Sequence, residues 1–82
     1  MATINWKDAV GRAVRRERSG LRLSQEELGE MSDLSRTYVS LIESADASVS
    51  LEAFVRIALA LGKRPWELLR EAEDLVPPKK SR

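Results

Sequence analysis

The chain contains no cysteine and no histidine. Disulfide staples, thiol nucleophiles, imidazole general bases and any Cys/His zinc site are therefore excluded. Aromatic residues are few, at 5%. Trp6 and Trp66 fall on apolar helix stripes, which makes them core or subunit-contact residues rather than platforms for stacking nucleobases. The longest uninterrupted apolar run, Ile57 to Leu61, is far short of a membrane span, and no signal peptide opens the chain. A soluble, cytoplasmic protein is expected.

What is present is enough for one small domain. Of 82 residues, 43% are apolar and 33% charged, ordinary for a folded chain and too apolar for a disordered one. At this length an apolar core is marginal, so compact helix packing or dimerisation is expected to help. The net charge of +1 hides a polarised distribution. Lys7 to Arg22 carries six basic and two acidic residues, whereas Leu23 to Asp46 carries one basic and six acidic. Lys79, Lys80 and Arg82 add a second basic segment. A nucleic-acid binder needs a basic face, and here helix 1, the tail and a few placed residues would have to supply it.

The pattern predicts five helices and no strand. Asn5 is a favourable N-cap with Asp8 three residues on, and Ile4 is placed to staple against Ala9. Trp6, Ala9, Val10, Ala13 and Val14 form the first apolar stripe, with Gly20 expected to supply the permissive end. Ser24-Gln25-Glu26-Glu27 is a capping box opening a second helix to about Met31. Ser35 caps a third helix running to about Ser44. Ser50 caps a fourth, which Gly62 closes, and Pro65 suits the first turn of a fifth. Residues 6–76 are thus read as one all-α domain, with 77–82 as a flexible basic tail.

The informative unit is the pair of short helices around Ser32-Asp33-Leu34. Two helices joined by a turn of three or four residues form the helix-turn-helix geometry, whose second helix can enter a DNA major groove. Gly29 fits a close crossing, a gain that must outweigh the roughly 1 kcal/mol that glycine costs inside a helix. Leu28, Leu34, Val39 and Ile42 are the expected apolar pegs. Arg36, Thr37, Ser40 and Leu41 remain on the outer face, where base edges are reached. The acidic set Glu26, Glu27, Glu30 and Asp33 reads as a solvated helix face, since no histidine or clustered counter-group makes it a metal or acid/base site. No metal and no cofactor are expected.

Gly11, Val14, Arg15 and Arg18, then Leu23 to Leu28, Leu34 to Glu43 and Ile57 to Leu61, carry a resemblance. Together they resemble the phage-repressor and Cro type of helix-turn-helix domain, the XRE family, in the family's order and spacing. Within it, Arg36-Thr37-Tyr38-Val39-Ser40 with Ile42-Glu43 is most similar to the small controller proteins of restriction–modification systems. The resemblance implies a five-helix DNA-binding domain, an ion pair between Arg18 and Glu43, and a dimer contact around helix 5. Trp66, Leu69, Leu75 and Val76 are the material there. Gln25, at the start of helix 2, is placed to take a phosphate oxygen on free backbone amides, with Ser24, Tyr38 and Arg15 around it. Tyr38 has a second reading, packing over the elbow between helices 2 and 3. Ser44 stands at a phosphate position where the family frequently has Arg. Ala45 replaces the usual Gly after helix 3, so strain is expected at that turn.

The function expected is that of a sequence-specific regulator of transcription without enzymatic activity, binding a roughly palindromic double-stranded operator as a homodimer. Resemblance to controller proteins implies autoregulation and timing of restriction–modification genes, with RNA polymerase as a candidate second partner. An antitoxin that represses its own promoter is an alternative reading. A protein-interaction adaptor using the acidic helix 2–3 region is another.

Overall fold

Side-chain oxygens set where the first four helices begin. The computed structural model describes residues 5–76. Asn5 Oδ1 accepts from the Asp8 amide and opens α1, Trp6–Gly20. At α2, Gln25–Ser32, the box is reciprocal: Ser24 Oγ accepts from the Glu27 amide, and the Glu27 carboxylate accepts from the Ser24 amide. Ser35 caps α3, Arg36–Glu43, and Ser50 caps α4, Leu51–Ala60. Each such cap satisfies an otherwise orphaned amide and is worth about 1 kcal/mol. In α5, Pro65–Leu75, a proline presets the first turn and Glu67 accepts from the Arg64 amide. No strand occurs among the described residues. Ile4 and the basic tail at 77–82 lie outside them.

Four helices end in one way. An amide just past each helix donates to the carbonyl five residues earlier: Leu23 to Arg18, Leu34 to Gly29, Asp46 to Leu41 and Lys63 to Ala58. This closure needs a left-handed residue just before the donor. Those residues are Arg22, Asp33, Ala45 and Gly62, at φ of 59°, 59°, 65° and 76°. Gly62 closes α4 as expected. Gly20 does not close α1, because it is still helical and the reversal falls two residues later, on Arg22. The strain expected at Ala45 is present as a positive φ on a residue with a Cβ.

The core is drawn from all five helices. Ala9, Ala13 and Val14 of α1, Leu28 of α2, Val39 of α3, Ile57 and Ala58 of α4, and Leu68 and Ala72 of α5 are fully buried. Leu34 is half-buried rather than a core peg, because it lies in the turn itself. Trp6 is 49% exposed, bordering an open recess beside Val10 and Ile42 rather than joining the buried core.

Among the glycines, Gly11 of α1 has the least room for a side chain. A Cβ there would overlap the Ile42 carbonyl and come within 2.9 Å of the Glu43 carbonyl. These are backbone atoms of α3 and cannot swing aside. Gly11→Ala is therefore expected to cost about 1–3 kcal/mol, whereas Ala45→Gly, which relieves a left-handed alanine, should add about 1 kcal/mol. Thermal melts of the two variants check both signs.

Candidate nucleic-acid interface

The turn between α2 and α3 is tight because Gly29 allows it. A Cβ on Gly29 would lie 2.7 Å from the Leu34 carbonyl, whose own amide donates to the Gly29 carbonyl at 2.8 Å. Asp33 makes the reversal, a conformation that its short polar side chain tolerates better than most. α3 then presents two faces. Val39 and Ile42 turn inward and are buried. Arg36 and Thr37 are exposed, Leu41 is 38% exposed, and Ser40 is half-buried on the same outer side. Arg36 forms no ion pair among the described residues, so its donors are free.

A single carboxylate fixes the orientation of that face. Glu43, at the end of α3, accepts at Oε2 from Arg18 Nε at 2.6 Å and at Oε1 from Arg18 Nη2 at 3.0 Å. Arg18 Nη1 also donates to the Leu23 carbonyl at 2.7 Å. Glu43 Oε1 takes a further bond from Gln25 Nε2 at 3.1 Å. The end of α1, the start of α2 and the end of α3 therefore meet on one group, whose side chain is only 4% exposed. The bond to Glu43 holds the Arg18 guanidinium above its ordinary value, outweighing the opposing effect of burial.

Beside this network the structure gathers several of the expected phosphate residues. Arg15, Gln25, Ser40 and Ser44 line one recess with Arg18 and Glu43. Ser24 sits next to it at the head of α2, where unpaired amides favour an anion. Ser44 is partly diverted, since its hydroxyl donates to Asp46 Oδ2 at 2.8 Å. Tyr38 is elsewhere. Its hydroxyl donates to the Ser48 carbonyl at 3.3 Å and accepts from the Ser50 amide at 3.2 Å, which ties the α3–α4 loop to α3. Neither that tie nor the Gln25–Glu43 bond was legible in the sequence, because both span ten or more positions and involve no complementary charges. Asp33 is exposed at the turn, with Arg56 of α4 at 3.9 Å.

A compact all-α domain with its second short helix exposed on one face is a helix-turn-helix DNA-binding domain. The chain belongs to this family: the family model described as Helix-turn-helix matches residues 14–68. The control protein C.BamHI of Bacillus amyloliquefaciens is 43% identical over 68 residues, covering 82% of this chain and 84% of that protein. The restriction–modification controller protein C.AhdI of Aeromonas hydrophila superposes with a TM-score of 0.74 at 37% identity, over 76% of this chain and 94% of that one. The clp gene regulator ClgR of C. glutamicum superposes with a TM-score of 0.85 at 29% identity, over 93% and 97%. The fold is thus common to several regulators, and the sequence likeness is to controller proteins.

Because Glu43 is buried and answers a guanidinium, removing it leaves Arg18 unpaired. Glu43→Ala should cost about 3–5 kcal/mol. Glu30→Ala, on an exposed site of α2, should change stability by less than about 0.5 kcal/mol. Denaturant titrations of the pair provide the comparison.

Proposed function

We propose that the chain is a sequence-specific, double-stranded-DNA-binding transcriptional regulator acting as the controller of a restriction–modification system. The observation that carries this reading is the outer face of α3, rigidly held through Glu43 and carrying an unpaired Arg36. A guanidinium there can donate two bonds to guanine O6 and N7. Thr37 can meet a thymine methyl or donate one hydrogen bond, Ser40 adds a hydroxyl, and Leu41 offers apolar contact alone. Ser24, Gln25, Arg15 and Ser44 would grip the backbone and set the register without reading sequence. Tyr38 would support this grip through the loop it ties. No helix among the described residues is long and apolar enough to cross a membrane, and no group of metal-ligating side chains forms among them.

The test is a gel-shift titration on the DNA upstream of the chain's own gene against a scrambled duplex. Preferential binding supports a regulator, and equal binding argues against one. Arg36→Ala should cost about 1–3 kcal/mol on the preferred site and relax the choice at one guanine per half-site. An unchanged preference would make Arg36 a phosphate or surface residue.

A single copy offers little charge to the phosphates, since Arg36 is the only base between Leu23 and Asp46. We therefore propose a two-fold homodimer through α5. Trp66 is 58% and Leu69 46% exposed on that helix, although its neighbour Leu68 is fully buried. Leu75 and Val76 pack partly against the chain's own core, which leaves Trp66 and Leu69 as the main material for pairing. Burying them contributes roughly 25 cal/mol per Å² and fixes the two α3 helices about 34–36 Å apart, one turn of the duplex. Leu69→Asp should shift sedimentation equilibrium toward monomer and weaken operator binding with little loss of helix content.

A further inference from the structure

Lys63, in the turn between α4 and α5, is held by carboxylates from two different helices. Its ammonium lies 3.6 Å from Glu17 Oε1 on α1 and 3.2 Å from Glu71 Oε2 on α5. The three side chains are only 22–26% exposed, and both carboxylates converge on the one ammonium. Fully ionised, the trio holds two negative charges against one positive, and Glu67 of α5 adds another negative charge near Lys63. Glu71 Oε1 is buried and has no hydrogen-bond partner, the one such side-chain atom among the described residues. A buried carboxylate oxygen without a donor is costly. Lys63 is engaged at the other oxygen, and the Glu17 carboxyl, held by the same ammonium, can supply a donor once it is protonated.

We propose that Glu17 and Glu71 share one proton beneath Lys63, forming a clasp that docks α5 onto α1 more firmly as the pH falls. On proton uptake, the Glu17 carboxyl donates its O–H to Glu71 Oε1. The orphaned oxygen gains a partner, and one negative charge against one ammonium remains. Such a proton belongs to the pair rather than to either residue. Burial first, then the hydrogen bond to Glu71 and its charge, push the Glu17 carboxyl above its ordinary value of 4.5, while Lys63 pulls it down. A folded-state value above the unfolded one means that the folded chain takes the proton first. The stabilisation is complete below the unfolded value and is lost as pH rises through the raised folded value.

The clasp acts within one chain, so it stands or falls separately from whether α5 also meets a second copy. The experiment is amide hydrogen exchange on the full chain at about pH 5.5 and about pH 7.5, corrected for intrinsic rates, with carboxyl carbon NMR alongside. In the wild type, protection of α5 amides relative to those of α2 should rise on acidification, within the roughly hundredfold ceiling that one proton sets across two pH units. Glu17→Gln carries a permanent N–H donor toward Glu71 Oε1, so its α5 protection should be high at both pH values and should not change. One glutamate carboxyl should titrate above the ordinary range in the wild type, and that titration should vanish in Glu17→Gln. Equal pH dependence in the two proteins, or no glutamate carboxyl titrating above the ordinary range in the wild type, would overturn the clasp.

Discussion

The Glu43 carboxylate is the constraint on which the rest of the arrangement depends. It takes three donors, two from Arg18 and one from Gln25, and lies almost wholly out of water. An eight-residue helix such as α3 has no stability of its own, so its direction must come from contacts. Val39 and Ile42 hold it by its apolar side, which resists separation but tolerates rolling. The bidentate pair resists rolling, because a planar guanidinium meets a carboxylate well in few orientations. The outer residues Arg36, Thr37 and Leu41 inherit that fixed direction. Gln25 links the same carboxylate to the head of α2, so the amides that can receive an anion and the face that can read bases are set by one group.

The fold was largely legible in the sequence because its punctuation is chemical and local. Asn5, Ser24, Ser35 and Ser50 each cap the helix that follows within three residues. Gly29 announced the close crossing of α2 and α3, and the structure shows a backbone carbonyl where its Cβ would be. The reversal at Arg22 was not legible. Gly20 gave a stronger signal two residues earlier, and the preference for glycine was overridden by the 6→1 bond from Leu23 to Arg18. Trp6 keeps its place on the stripe but borders an open recess with Val10 and Ile42, which periodicity alone does not distinguish from burial in the core. The site divided along similar lines. The Arg18–Glu43 pair has complementary charges and could be anticipated from family resemblance. The Tyr38 tie to Ser48 and Ser50 and the meeting of Glu17, Lys63 and Glu71 depend on where loops and helices converge, which no spacing rule encodes.

Charge is placed as selectively as the apolar residues. The acidic residues of α2 lie on its exposed side, and within α2 and α3 the single base is Arg36. Phosphate neutralisation supplies most of the affinity of a DNA-binding domain, so a unit with one base in this segment must draw on its neighbours. α1 supplies Arg15 at the recess beside Ser40 and Ser44. The acidic Asp33 at the turn has Arg56 of α4 at 3.9 Å, but its carboxylate is almost wholly in water, so the pair contributes little. The basic residues of this region therefore come from two helices, α1 and α3, rather than from the helix-turn-helix alone.

Three non-glycine residues in the left-handed region stand at the three corners of the helix-turn-helix: Arg22 before α2, Asp33 between the helices and Ala45 after α3. Each costs of the order of 1 kcal/mol relative to an unstrained backbone, least for the aspartate. The strain persists because each corner is held on both sides. Next to Arg22, the Leu23 amide donates to the Arg18 carbonyl while the Leu23 carbonyl accepts from the Arg18 guanidinium. Next to Ala45, the amides of Asp46 and Ala47 both converge on the Leu41 carbonyl, and Ser44 bonds the Asp46 carboxylate. Arg18 therefore acts at two levels, fixing α3 through Glu43 and the first corner through Leu23. One side chain thus secures both α3 and the turn that leads into α2, so the head of α2 and the outer face of α3 are held in one fixed relation.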